Sequence, residues 1–412
     1  MSPASANSRQ KFYGCWVTLA AFLNLFFVVG IVFYGFPFFY ASLVDDLGFT
    51  RSQVTEGILW GFILAAPFSF FLGAFIDRYG PQRVILWGLV LVGFPLVLMG
   101  LMSKVWQYYA LSIAEVVGYI LAGPIPNQVL ISNWFEKKRG RAMGWAYLGL
   151  GAGGVAAPLV AHQLIARFGW RQAFEITGIL IMAVLFPVGW FVTRSSPGEL
   201  GLFRDGAGEP RSTDPTRVSV RRALGTVNFW LILVGSALVI GAIGTVIQQF
   251  VLFLRDQGYS TATAARFSSA LLLAGLAGRV IVGYLADRFQ KKNVMAFFYL
   301  LLAMAIPLLF FARQPGAVWL FALVFGFAMG ADYMLIPLVT AECFGLASLG
   351  QLLTAIIMAD SLGQWFGPWS AGRIFGATGS YNMAWAAVTA AGIVGAAAIS
   401  AVNPARTRKS EK

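Results

Sequence analysis

A chain of 412 residues in which 58% are hydrophobic and 11% charged is no soluble domain, where about a quarter of residues carry charge. Its net charge of +13 points to nucleic acid only if it is clustered, and the basic residues instead sit between long apolar segments. Two cysteines and one histidine supply no metal or redox spacing, so neither a metal nor another cofactor is expected.

Twelve apolar segments follow in order, each long enough for a hydrocarbon core of about 30 Å. The first six are 12–40, 53–76, 82–102, 106–133, 138–166 and 170–193; the second six are 224–255, 262–287, 292–313, 317–344, 350–377 and 381–402. Backbone polar groups in lipid must be satisfied within the segment, which makes these helices. The polar start "MSPASANSRQ" shows no small-residue cleavage site after the first apolar run, so segment 1 is expected to be retained. Segment 1 carries the aromatic run "FYGFPFFY", with Tyr34 the hydroxyl placed at a cavity. Segment 2 leads into "GAFIDRYGPQRV". Segment 4 holds Glu115 and Tyr119, whose spacing of four puts them on one helix face. Segment 5 follows "NWFEKKRGRAMG" and contains "GLGAGG", Gly149 to Gly154. That run spells a dinucleotide loop, yet no strand precedes it, and packing or bending of a membrane helix is the better reading.

His162 lies toward the far end of segment 5. A polar linker, 194–223, with Pro197, Pro210 and Pro215, separates the two sets of six. Segment 8 contains Arg279 and ends in "GYLADRFQKKNV". Segment 10 holds Asp332 and Tyr333, and segment 11 holds Asp360 and, near its far end, Arg373. With a cytoplasmic N-terminus, alternating loops place 21 Lys/Arg inside and seven outside, which predicts both termini and the linker on the cytoplasmic side of the plasma membrane. The basic excess sets topology and touches anionic lipid.

The chain is one unit written twice. Gly73, Asp77, Arg78 and Arg83 after segment 2 align with Gly283, Asp287 and Arg288 after segment 8, where Lys291 and Lys292 supply the later charge; the offset is 210 residues. Phe135 in "WFEKKRG" matches Phe344 in "CFGLASLG" at an offset of 209. The motif Gly73-x-x-x-Asp77-Arg78-x-Gly80-x-x-Arg83 resembles the loop 2–3 signature of the major facilitator superfamily, and the likeness covers the whole chain. It implies an all-α fold of twelve transmembrane helices in two pseudo-symmetric six-helix bundles, 12–193 and 224–402, around a cavity opening alternately to each side. It also implies that Gly73, Asp77, Arg78, Arg83, Asp287 and Arg288 brace the bundles at the cytoplasmic face. Within that superfamily, "NWFEKKRGRAMG" and "FGWRQAF" resemble the bacterial monocarboxylate porter and oxalate–formate branch.

A lone arginine deep in lipid needs water or a partner. Arg279 has small neighbours, Gly275, Gly278 and Gly283, which leave room for a ligand or for another helix. Two readings stay open for it: an anchor gripping a carboxylate with two parallel hydrogen bonds, or a structural ion pair between bundles. The branch resemblance implies the first. Asp360 feels burial and a nearby cation in opposite directions, as suits a proton carrier, or else it pairs permanently with Arg279. Asp332 is a second proton-coupling candidate, and Tyr119, Tyr333 and Tyr34 are candidate substrate ligands. Glu115 suits interhelical hydrogen bonding, and Arg373 can snorkel outward. The chain departs from the branch twice. No lysine lies between Gly345 and Ser380, and Gly275 stands where many such porters have an acid.

The expected activity is secondary transport, not enzymatic, of a small carboxylate such as lactate or pyruvate by proton symport. Anion exchange, a zwitterionic substrate and a non-transporting membrane sensor are the alternatives. Partners are the substrate, the proton and membrane lipid, with no nucleic acid, and the protein is expected to work as a monomer.

Overall fold

The computed structural model describes residues 12–206, 219–346 and 348–403, and no strand occurs among the described residues. Among the described residues, nine helical stretches are long and apolar enough to cross a membrane. One of them, Leu159–Val192, runs over the junction of segments 5 and 6. Arg51–Tyr79, of 29 residues, and Leu349–Thr378, of 30, are the helices of segments 2 and 11 and complete the twelve. The helix Arg139–Leu180 is split by Gly169, whose φ of 76° no helix tolerates. Segments 5 and 6 are therefore two rods, as the hydropathy pattern predicts.

Segments 4 and 10 are each broken, and at corresponding places. Val105–Ala122 and Pro124–Trp134 meet at Gly123, while Pro315–Met329 and Asp332–Phe344 meet at Gly330 and Ala331. Segment 1 carries a wide turn over Leu25–Phe33 and continues to Leu47, beyond its expected end at 40.

Packing repeats the internal symmetry. In the first half, segment 1 lies on segment 5, segment 2 on segment 4, and segment 3 on segments 4 and 6; in the second, segment 7 lies on 11, 8 on 10, and 9 on 12. The halves touch along two seams, segment 5 against 8 and segment 2 against 11. At the first seam a side chain on Gly140 would stand 2.6 Å from the Gly283 carbonyl oxygen, so only glycine allows the helices this close.

The first part of the linker is sewn to the first half. The Trp134 indole N–H donates to the Arg194 carbonyl at 2.7 Å and the Asn133 amide to that of Ser195 at 3.1 Å. Asp205, in the left-handed region at φ 57°, accepts the backbone N–H groups of Glu136, Lys137 and Lys138.

Candidate functional site

Arg279 sits mid-helix in Thr261–Arg288, 8% exposed, at the seam with segment 5. Its side chain lies over Gly151, where an added Cβ would come within 2.5 Å of the Arg279 Nη1. The "GLGAGG" run is thus the floor on which the guanidinium rests. Its Nε is buried without a hydrogen-bond partner, and Arg279 enters no ion pair among the described residues.

The acid in electrostatic range of Arg279 is Asp332, not Asp360. Asp332 opens the second helix of segment 10 and accepts the Tyr333 amide at 2.6 Å. Tyr34 and Tyr147 lie in range of both Arg279 and Asp332, although they belong to the other half. Tyr34 is 47% exposed. Tyr119 stacks on Phe33 with ring centroids 5.2 Å apart and neighbours Tyr34 and Glu115. Arg279, Asp332, Tyr34, Tyr119 and Tyr333 are thus linked through one another's electrostatic range across the two halves.

Asp360 stands apart, and the permanent Arg279–Asp360 pair weighed from the sequence does not form. Ser236 of segment 7 donates to its Oδ1 at 2.6 Å, and its Oδ2 is buried without a partner. Tyr299, Tyr333 and Asp332 are its electrostatic neighbours. Glu115 is buried near Tyr40, Tyr108 and Tyr119 in the first half. His162 is exposed, and Arg373 lies over the Trp369 ring at 5.8 Å.

At the linker face the repeated aspartates do the same work. The Asp77 carboxylate lies against the backbone amides of Gly350 and Gln351 at the start of segment 11. Asp287 accepts those of Gly140, at 2.7 Å, and Arg141, at 3.1 Å, at the start of segment 5. Both the acids and their partners are 210 residues apart. A carboxylate at a helix N-terminus meets unpaired N–H groups and the positive end of the helix dipole, so each bond is charge-assisted. Each crosses between the halves at this face. Arg78, Arg83 and Arg288 are exposed, with Arg78 over the Tyr79 ring at 5.3 Å, and none forms an ion pair among the described residues.

Sequence reasoning passed over Tyr147, Ser236 and Gln128. Tyr147 and Gln128 share a buried hydrogen bond, and Gln128 also donates to the Tyr333 carbonyl at 3.1 Å. Buried amides and hydroxyls are common in membrane bundles, and only the partner reveals which ones bridge the halves. Among the described residues no cluster of His, Cys, Asp and Glu could hold a metal.

The family model described as Major Facilitator Superfamily matches residues 22–368. The chain is 29% identical over 344 residues to the MFS-type transporter opdF of Penicillium oxalicum, covering 81% of this chain and 76% of that one. It is 26% identical over 373 residues to a probable hexose phosphate transport protein of Chlamydia pneumoniae, covering 81% and 79%. Among solved structures it is similar to the fucose:proton symporter FucP of E. coli, at a TM-score of 0.72 and 14% identity, covering 95% of this chain and 100% of that one. The proton:xylose symporter XylE is similar at 0.66 and 16%, covering 95% and 96%. Twelve helices in two matched halves, closed at one face by paired aspartate caps, and a family match over most of the length lead to one conclusion: this chain belongs to the major facilitator superfamily and is a multi-pass membrane protein that acts as a secondary transporter.

Proposed function

We propose that this transporter carries a small monocarboxylate, of the lactate or pyruvate kind, together with a proton. The observation that carries the reading is the state of Arg279. It is buried between the halves, its Nε has no partner, and no carboxylate within the described residues has claimed it. A guanidinium left with free donors in a low-dielectric site is matched by a carboxylate, which takes two parallel hydrogen bonds. Tyr34, Tyr119 and Tyr333 supply hydroxyls around it.

Proton coupling falls to Asp360 and Asp332. Asp360 has one oxygen on Ser236 and one bare, so it has a place for a proton without rearranging its neighbours. Asp332, close to Arg279, senses whether substrate has neutralised the guanidinium. The halves 12–193 and 224–402 are the moving bodies, Asp77 and Asp287 the contacts that part when the linker face opens, and the protein works as a monomer. Both termini and the linker face the cytoplasm of the plasma membrane.

The proximity of Asp332 to Arg279 favours a second reading, a zwitterionic substrate whose amine faces Asp332. Uptake of labelled lactate into proteoliposomes separates the two. The carboxylate reading expects accumulation driven by an inward proton gradient and lost in Arg279→Gln, while Arg279→Lys loses most transport because a point charge cannot replace the fork. Wild-type uptake by either folded variant would remove Arg279 from the substrate site, and uptake of amino acids in preference to lactate would establish the zwitterion.

A further inference from the structure

Pro337 lies inside the second helix of segment 10, Asp332–Phe344. A proline has no N–H, so the carbonyl four residues earlier loses its helical donor. That carbonyl belongs to Tyr333. A side chain of the other half fills the gap: Gln128, on the second helix of segment 4 and fully buried, donates its Nε2 to the Tyr333 oxygen at 3.1 Å. The same nitrogen donates to the Tyr147 hydroxyl, which fixes the amide against segment 5. Tyr333 is held at its other end as well, since its N–H donates to Asp332 Oδ1 at 2.6 Å.

We propose that Gln128 is a positioning residue for transport: it supplies the donor that Pro337 removes, and so latches the first half to the Asp332–Tyr333 turn only while the linker face is closed. Asp332 opens that turn beside Arg279, so the bond joins the substrate space to the closing contacts below it. When the halves part at the linker face, Gln128 leaves and the Tyr333 carbonyl stands unpaired until water reaches it. An unpaired carbonyl away from water is costly, and this cost favours the closed state. The device does not depend on which substrate is carried. It is independent of the aspartate caps, which lie at the helix ends and use charge, whereas the latch lies inside the bundle and is neutral.

The test uses the full chain in nanodiscs, with both cysteines replaced by serine and spin labels at Lys137 and Gln290, one on each side of the segment 5–8 seam and both exposed. Gln128→Met keeps length and removes the donor. It is expected to raise the open-to-closed ratio by about tenfold, the effect of one buried hydrogen bond with its acceptor left bare. Gln128→Leu likewise removes the donor at similar volume and is expected to behave like Gln128→Met; it also serves if the methionine variant does not fold. Pro337→Ala restores the helical donor, and in that background the effect of either Gln128 variant is expected to shrink below about twofold. An unchanged distance distribution in both folded Gln128 variants overturns the proposal. So does an equal shift with proline and with alanine at 337, which would place the action of Gln128 on Tyr147 alone.

Discussion

Arg141 meets Asp287 through both its backbone and its side chain: the amide N–H and the guanidinium Nε each donate to Oδ2, at 3.1 and 3.0 Å. With the Gly140 amide on Oδ1, one carboxylate draws three charge-assisted bonds across the seam. Removing them with Asp287→Ala is expected to open the linker face. Bonds to charged groups are each worth about 1.5–3 kcal/mol, so a shift of at least about tenfold toward the open state should appear in the Lys137–Gln290 distance distribution. Asp77→Ala should act in the same sense through the other seam, and the double variant should exceed either. A closed distribution in the double variant would show that neither cap governs this face.

Ser236 and Asp360 invite a paired experiment. Asp360→Asn mimics a carboxyl that never releases its proton. Net uptake driven by a pH gradient should fall at least about tenfold, while exchange of labelled for unlabelled substrate survives, because exchange needs reorientation of the loaded carrier alone. Ser236→Ala removes the only hydrogen bond to the carboxylate among the described residues and should alter the pH dependence of uptake while leaving exchange. Undiminished pH-driven uptake in Asp360→Asn would move the proton site to Asp332.

Two glycines of one motif should respond differently to the same methyl group. At Gly149 an added Cβ would lie 2.1 Å from the Phe22 carbonyl oxygen, which is backbone of the packed segment 1. Gly149→Ala should cost about 1–3 kcal/mol through overpacking and lower the melting temperature. At Gly151 the added Cβ meets the Leu276 and Arg279 side chains, which can move. Gly151→Ala should melt like wild type but bind lactate about tenfold more weakly, since displacing a group by an ångström spoils a two-point hydrogen bond. Wild-type affinity in Gly151→Ala would mean that the observed pose of Arg279 is not the one that binds.

Topology is open to a direct check. A cysteine at Leu202, an exposed position on the linker, should react with an impermeant maleimide only after cells are permeabilised. Labelling of intact cells would invert the orientation.

The fold was legible because its causes are local or periodic. Hydropathy marks the segments, and the recurrence of Gly73 and Asp77 as Gly283 and Asp287 marks the halves. The identity of what each aspartate caps was not legible, since Gly350 and Gly140 carry no side chain to signal it. Arg279 stood out because charge is scarce in lipid, but its neighbour could not be read: Asp332 and Asp360 are equally conspicuous in sequence, and only the crossing of segments 7, 8, 10 and 11 decides that one lies near the guanidinium and the other near Ser236. Gln128 was hidden for a subtler reason. Its partner is a main-chain oxygen vacated by Pro337, and a vacancy in backbone bonding appears only once the register of both helices is known.

The binding of Asp205 to the loop at Glu136–Lys138 has a consequence for how the protein can be assembled. The hydrogen bonds of Arg194, Ser195 and Asp205 go to the first half, and the seams between halves are made by the membrane helices. Continuity of the chain between the halves supplies effective concentration. Two polypeptides, one ending at Gly206 and one beginning at Ser219, should recognise each other when made in the same membrane, and a tag on either should retrieve both. The transporter is in this sense a heterodimer whose subunits happen to be translated together, and failure of the fragments to co-purify would show that the tether itself is structural.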